Sequence, residues 1–78
     1  MVNWRNLLAT DPEICGGELR AEGTRVLVAN ILDSLAEGAS RDQILTSYPT
    51  LSPEHIDAAL AYAAELAREE ALLPLAVE

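Results

Sequence analysis

Catalysis needs nucleophiles, acid–base groups or metal ligands held within reach of one another, and this chain holds few. It has one cysteine, Cys15, and one histidine, His55. One cysteine forms no internal disulfide, and one Cys with one His lacks the clustered spacing of a zinc site. Two acidic pairs, Glu69-Glu70 and Glu37 with Asp42, have the charge of metal ligands or acid–base groups. Without accompanying His or Cys they read as solvated surface. Gly16-Gly17 followed by Gly23 is too loosely spaced for a dinucleotide loop, and Ser, His and Asp show no nucleophile signature. His55 reads as an exposed polar residue in the first turn of a helix. Cys15 reads as a small core residue, since no basic neighbour activates the thiol. The expectation is a non-catalytic protein with no catalytic residue, no cofactor and no metal.

The elements that would position these residues must come from a chain of 78 residues and 8.4 kDa, enough for a single small domain. Half its residues are hydrophobic, but there is no Phe, one Trp and two Tyr, so the core must be built from short aliphatic side chains. A domain near this size buries only about 60% of its unfolded surface, which favours association with a partner or a second copy. The longest apolar runs, such as 58–64, fall short of the ~20 residues that span a bilayer, and no signal-peptide pattern is seen. A cytoplasmic location is expected.

Thirteen acids against five Arg and no Lys give a formal charge of -8. Residues 1–27 carry three Arg against four acids, a net of -1, whereas residues 28–78 carry two Arg against nine acids, a net of -7. Acidity on that scale repels phosphate backbones and suits a basic protein partner.

Turn residues crowd the first part of the chain: Asp11-Pro12, Gly16-Gly17 and Gly23 leave no room for a long helix. Short segments between them, ending in the β-branched stretch 25–28, predict a small hairpin turning at Glu22-Gly23. From Val28 the period becomes helical, with Val28, Ile31, Leu32 and Leu35 on one face and Gly38 as a left-handed stop. Ser40 and Gln43 then form a capping-box pattern that starts a short second helix, closed by Tyr48-Pro49. Ser52 caps a third helix with Pro53 at its first position and Leu51 stapled to Ile56. That helix runs to about Leu72, with Ile56, Leu60, Ala63, Ala67 and Ala71 as its apolar stripe, opposite Asp57, Glu65 and Arg68. The predicted organisation is a mainly α single domain: a β-hairpin and turns over 1–27, a three-helix, helix-turn-helix-like core over 28–72, and an apolar tail over 73–78.

A helix-turn-helix would send its last helix into a DNA major groove, but the first turns of this one display Glu54, His55 and Asp57, and carboxylates facing phosphates are repelled. The C-terminal stretch containing Leu72, Leu73 and Leu75 has two open readings: it folds over the small core, or a partner buries it. Arg25, just after the turn glycine and beside Thr24, is either a structural clamp or a contact.

Several of these pieces occur in a recognisable order: Asp11-Pro12, Gly16-Gly17, Gly23-Thr24-Arg25, then Ser40 to Ile44, Tyr48-Pro49 and Ile56 to Leu60. In that order the chain resembles the family named domain of unknown function 433, over roughly residues 4 to 66. It departs from the family pattern at Leu19 and Leu27, where proline is frequent, and at Glu22, where a basic residue is frequent. The resemblance implies a helix-turn-helix-like fold with a small N-terminal β element and no enzymatic activity. It further implies an antitoxin of a type II toxin-antitoxin pair, whose partner is a toxin with a PIN-like nuclease domain. An Arg such as Arg25 or Arg68 would reach the nuclease's metal-binding carboxylates. Gly23, Thr24 and Arg25, with Arg68, Leu72, Leu73 and Leu75, are thus the candidate partner-binding or family-motif residues. The expected partners are a cognate toxin and a second copy of the chain, with DNA bound weakly or only with the toxin, and with no membrane and no small-molecule substrate. The alternative is a DNA-binding transcriptional regulator of helix-turn-helix type.

Overall fold

Short apolar segments separated by turn residues can pair over only a few positions, and the first third of the chain does so. The computed structural model describes residues 3–13 and 15–69, with Cys15 described by its backbone alone. Strand β1 (Leu8–Ala9) pairs antiparallel with β2 (Arg20–Ala21), Leu8 opposite Ala21 and Ala9 opposite Arg20. On its other side β2 meets a single bridge, Arg20 to Leu27. The stretch 25–28 therefore contributes one bridging residue rather than a strand, because Val28 already begins the first helix. The turn lies where the sequence places it: Thr24 N–H donates to Ala21 O at 3.0 Å, and Gly23 sits at φ +82°, a conformation that costs an L side chain and that glycine adopts freely.

Three helices follow: α1 (Val28–Ala36), α2 (Arg41–Ser47) and α3 (Pro53–Glu69). Helix α1 ends on Gly38 at φ +97°, with Gly38 N–H donating to Leu35 O and Ala39 N–H to Ser34 O, both at 3.0 Å. That pair of reversed hydrogen bonds is a Schellman motif, and it satisfies carbonyls the helix leaves open. Two residues later the capping box forms: Gln43 N–H donates to Ser40 Oγ at 3.1 Å and Ser40 N–H to Gln43 Oε1 at 2.7 Å. The corner from α1 to α2 is thus closed by local bonds alone.

The start of α3 uses the same logic with a different residue. Ser52 N–H donates to His55 Nδ1 at 3.1 Å, and His55 N–H donates to Ser52 O at 3.0 Å. His55 is only 9% exposed, so the expectation of a solvent-facing histidine is overturned. An accepting Nδ1 places the proton of the neutral ring on Nε2. Leu51 and Ile56, on either side of this cap, are both buried in the common core, as the staple requires.

One isoleucine from each helix, Ile31, Ile44 and Ile56, forms the centre of the core, at 0%, 1% and 0% exposure. Leu8 and Ala21 of the sheet, Val28, Leu51, Ala58 and Ala59 complete it. The small residues Ala58 and Ala59 let neighbouring elements approach the α3 backbone closely. The expected apolar stripe of α3 is displaced from its predicted line: Leu60 is 43% exposed and Ala67 is exposed, while Ala58, Ala59 and Ala61 are buried. The reason lies at the N-terminus. Trp4 packs edge-on against Tyr62, with ring centroids 5.1 Å apart, and its Nε1 donates to Glu65 Oε1 at 3.3 Å. Arg5 pairs with Glu65 at 3.0 Å and stacks its guanidinium 4.4 Å from the Trp4 ring centroid. The Tyr62–Glu65 flank of α3 is therefore covered, and Glu65, expected in solvent, is half-buried.

Among the described residues no helix is long and apolar enough to cross a membrane. Ala71 and the tail residues Leu72, Leu73 and Leu75 lie outside the described residues, as does Ile14.

Truncating a side chain at the centre of so small a core removes transfer energy and leaves a cavity. The substitution Ile44→Ala is expected to lower unfolding free energy by about 2–5 kcal/mol in urea titrations, and Ile44→Val by about 0.5–1.5 kcal/mol.

Candidate functional site

Two pieces of the family pattern, Gly23-Thr24-Arg25 and Tyr48, line one cleft of about 610 Å³, although they come from separate parts of the chain. One wall is the turn after β2, with Glu22, Gly23, Thr24, Arg25 and Val26. The other is formed by Asn30 in the first turn of α1 and by Tyr48 and Thr50 of the corner between α2 and α3. Gly23-Thr24-Arg25 is thus brought to the same cleft as Tyr48 and Thr50, with Asn30 of α1 between them.

Thr24 holds the turn. Its Oγ1 donates to Ala21 O at 2.9 Å and accepts from Val26 N–H at 3.0 Å, while Ala21 N–H donates to Val26 O at 2.9 Å. Arg25 is exposed on the rim of the cleft. The residue the sequence did not mark is Arg20, which also lines the cleft and is 7% exposed. Its Nη1 donates to Thr24 O at 3.1 Å, and its Nε is buried with no hydrogen-bond partner. Among the described residues Arg5 pairs with Glu65 and Arg41 with Asp57, and no acid among them pairs with Arg20. The charged residues of the cleft's lining are Arg20, Arg25 and Glu22. No local pattern around Arg20 could have flagged it, because its burial is set by β1, by Leu27 and by the turn folding over it.

Arg68 lies exposed in the last turn of α3 and does not line the cleft. Among the described residues no group of three or more His, Cys, Asp or Glu is placed to hold a metal ion.

The family model for proteins of unknown function DUF433 matches residues 8–63, most of the chain. The protein belongs to the DUF433 family. A crystal structure of a DUF433 member from Anabaena variabilis ATCC 29413 superposes with a TM-score of 0.69 at 31% identity, covering 86% of this chain and 70% of that one. The chain is also 37% identical over 59 residues to the uncharacterized protein y4eO of Sinorhizobium fredii (strain NBRC 101917 / NGR234). That match covers 76% of this chain but only 27% of the relative, so the chain spans about a quarter of that protein's length. In this DUF433 chain the Gly-Thr-Arg segment and Tyr48 lie on opposite walls of one cleft.

If Thr24 is the fastening of the turn, Thr24→Val keeps the volume and removes both side-chain hydrogen bonds. It is expected to cost about 1–2 kcal/mol of stability. Arg25→Ala, at an exposed position, is expected to cost less, and the two are compared by thermal unfolding followed by circular dichroism.

Proposed function

We propose that this DUF433 protein is a non-catalytic, cytoplasmic antitoxin that neutralises a cognate PIN-like nuclease by protein–protein binding. The observation that carries this reading is the charge on the face a helix-turn-helix would offer to DNA. At the start of α3, Glu54 is exposed and His55 is turned into the cap. Arg41, the basic residue of α2, is paired with Asp57 at 2.8 Å and donates to Pro53 O at 3.3 Å. An exposed pair of this kind adds little stability, but it leaves Arg41 poorly placed for a phosphate. The surface left over is carboxylate, with Asp42 exposed in the first turn of α2.

A nuclease that grips RNA presents basic surface, and an acidic helical domain is suited to cover it. The family resemblance supports the same assignment. Self-association through Leu72, Leu73 and Leu75 belongs to the proposal, as burial of each such leucine contributes roughly 1.5–3 kcal/mol. The arrangement of three helices is what favours the second reading, a DNA-binding regulator of helix-turn-helix type.

Two measurements separate them. Fluorescence anisotropy with duplex DNA from the protein's own promoter is expected to show no better than weak binding at physiological salt, tightening only when the toxin is added. Co-purification with the product of the neighbouring gene is expected to yield a stable complex that lacks nuclease activity. Submicromolar, sequence-selective DNA binding by the isolated chain would establish the regulator instead.

A further inference from the structure

A buried guanidinium with no counter-ion costs stability, because a charge removed from water must be compensated by a partner or by hydrogen bonds to each donor. Arg20 has neither. It is nine-tenths buried, one of its nitrogens bonds Thr24 O, and its Nε is sealed from water without an acceptor. Such an unsatisfied group in a folded protein calls for an explanation, and an absent ligand is one of the few that applies to a cation.

The position of Arg20 is fixed from both sides. Its backbone is paired to Ala9 in β1 and bridged to Leu27, and its side chain lies under the Thr24 turn. The guanidinium is therefore preorganised, and a ligand that meets it pays no cost to order it. Around it the cleft supplies polar groups of neutral type, Thr24, Asn30, Tyr48 and Thr50, together with Arg25 and Glu22.

We propose that this cleft is a binding site for a single carboxylate group, the Asp or Glu side chain of a protein partner, with Arg20 as its buried anchor. A monoanion matches the single charge of the buried Arg20 guanidinium, whereas a phosphate dianion would exceed it. The net charge of -8 further opposes the long-range approach of a polyanion such as nucleic acid. The inference goes beyond the partner's identity and does not depend on it: a partner that is not a nuclease would still place an acidic side chain here.

The test is a ¹⁵N–¹H NMR titration of the isolated chain with acetyl-Ala-Glu-Ala-amide, with acetyl-Ala-Gln-Ala-amide as the neutral control and inorganic phosphate at matched ionic strength. Buried Nε–H groups exchange slowly, so the Arg20 side-chain signal is observable beside the amides of Thr24, Arg25, Asn30 and Thr50. The Glu peptide is expected to shift these signals saturably and the Gln peptide to leave them unmoved. The variant Arg20→Gln is expected to weaken binding about tenfold or more, the loss of a charge-assisted hydrogen bond. Should Arg20→Gln fail to fold, Asn30→Asp decides: it places a carboxylate on the cleft wall from the first turn of α1, where an acid favours the helix, and is expected to block the Glu peptide. Tighter binding of phosphate than of the Glu peptide would overturn the carboxylate assignment. Shifts that are absent, or that persist unchanged in the folded variant, would overturn the site. Because no toxin or DNA is used, failure here is distinct from failure of the antitoxin reading.

Discussion

With no Phe and a predominance of Ala and Leu, this chain can close a core only where its few branched side chains meet, and Ile31, Ile44 and Ile56 meet once, one from each helix. That single convergence depends on short corners. The Schellman turn at Gly38 and the capping box at Ser40 reverse the chain between α1 and α2 without long-range help. The Tyr48-Pro49 corner and the Ser52–His55 cap then aim α3 back across both. A looser corner would move one isoleucine out of register, and a core of this size has no second layer to compensate.

Because the core is thin, the outside of α3 must be covered by something else, and Trp4 does so. Its ring, the Arg5 guanidinium and Glu65 form one packed group that fastens the start of the described chain to its last helix. The sheet acts similarly, placing Leu8 and Ala21 in the core with the isoleucines. In doing so it buries Arg20, which no consideration of stability would place there. A residue that departs from the consistency of the rest of a fold is the one most readily explained by function.

The three-helix arrangement and the chemistry of its surface point in different directions. Fold alone does not assign function, and here the α2–α3 face carries exposed carboxylates while the buried Arg20 lines a cleft at the turn after β2. A reading based on topology would look for contacts at α3, whereas the electrostatics direct attention to the turn after β2. Part of the DUF433 pattern, Gly23-Thr24-Arg25 and Tyr48, lies on that cleft, although the segments that carry it also build the turns of the fold.

Local chemistry was legible in the sequence because its causes lie within a few residues. Gly23 and Gly38 mark positive φ, Ser40 and Gln43 cap each other, and Pro53 opens α3, all from interactions spanning two to four positions. The tertiary structure decided what depends on distant neighbours. Trp4, some sixty positions from Glu65, determined which flank of α3 is covered and left Leu60 exposed. His55 bonds Ser52 only three positions away, but its burial comes from the core that closes over the cap, whereas its place in the first turn of a helix had suggested a surface residue. The burial of Arg20 required β1, Leu27 and the Thr24 turn to close on it together, and burial of a charge is a property of the assembled surroundings that no spacing of residues encodes.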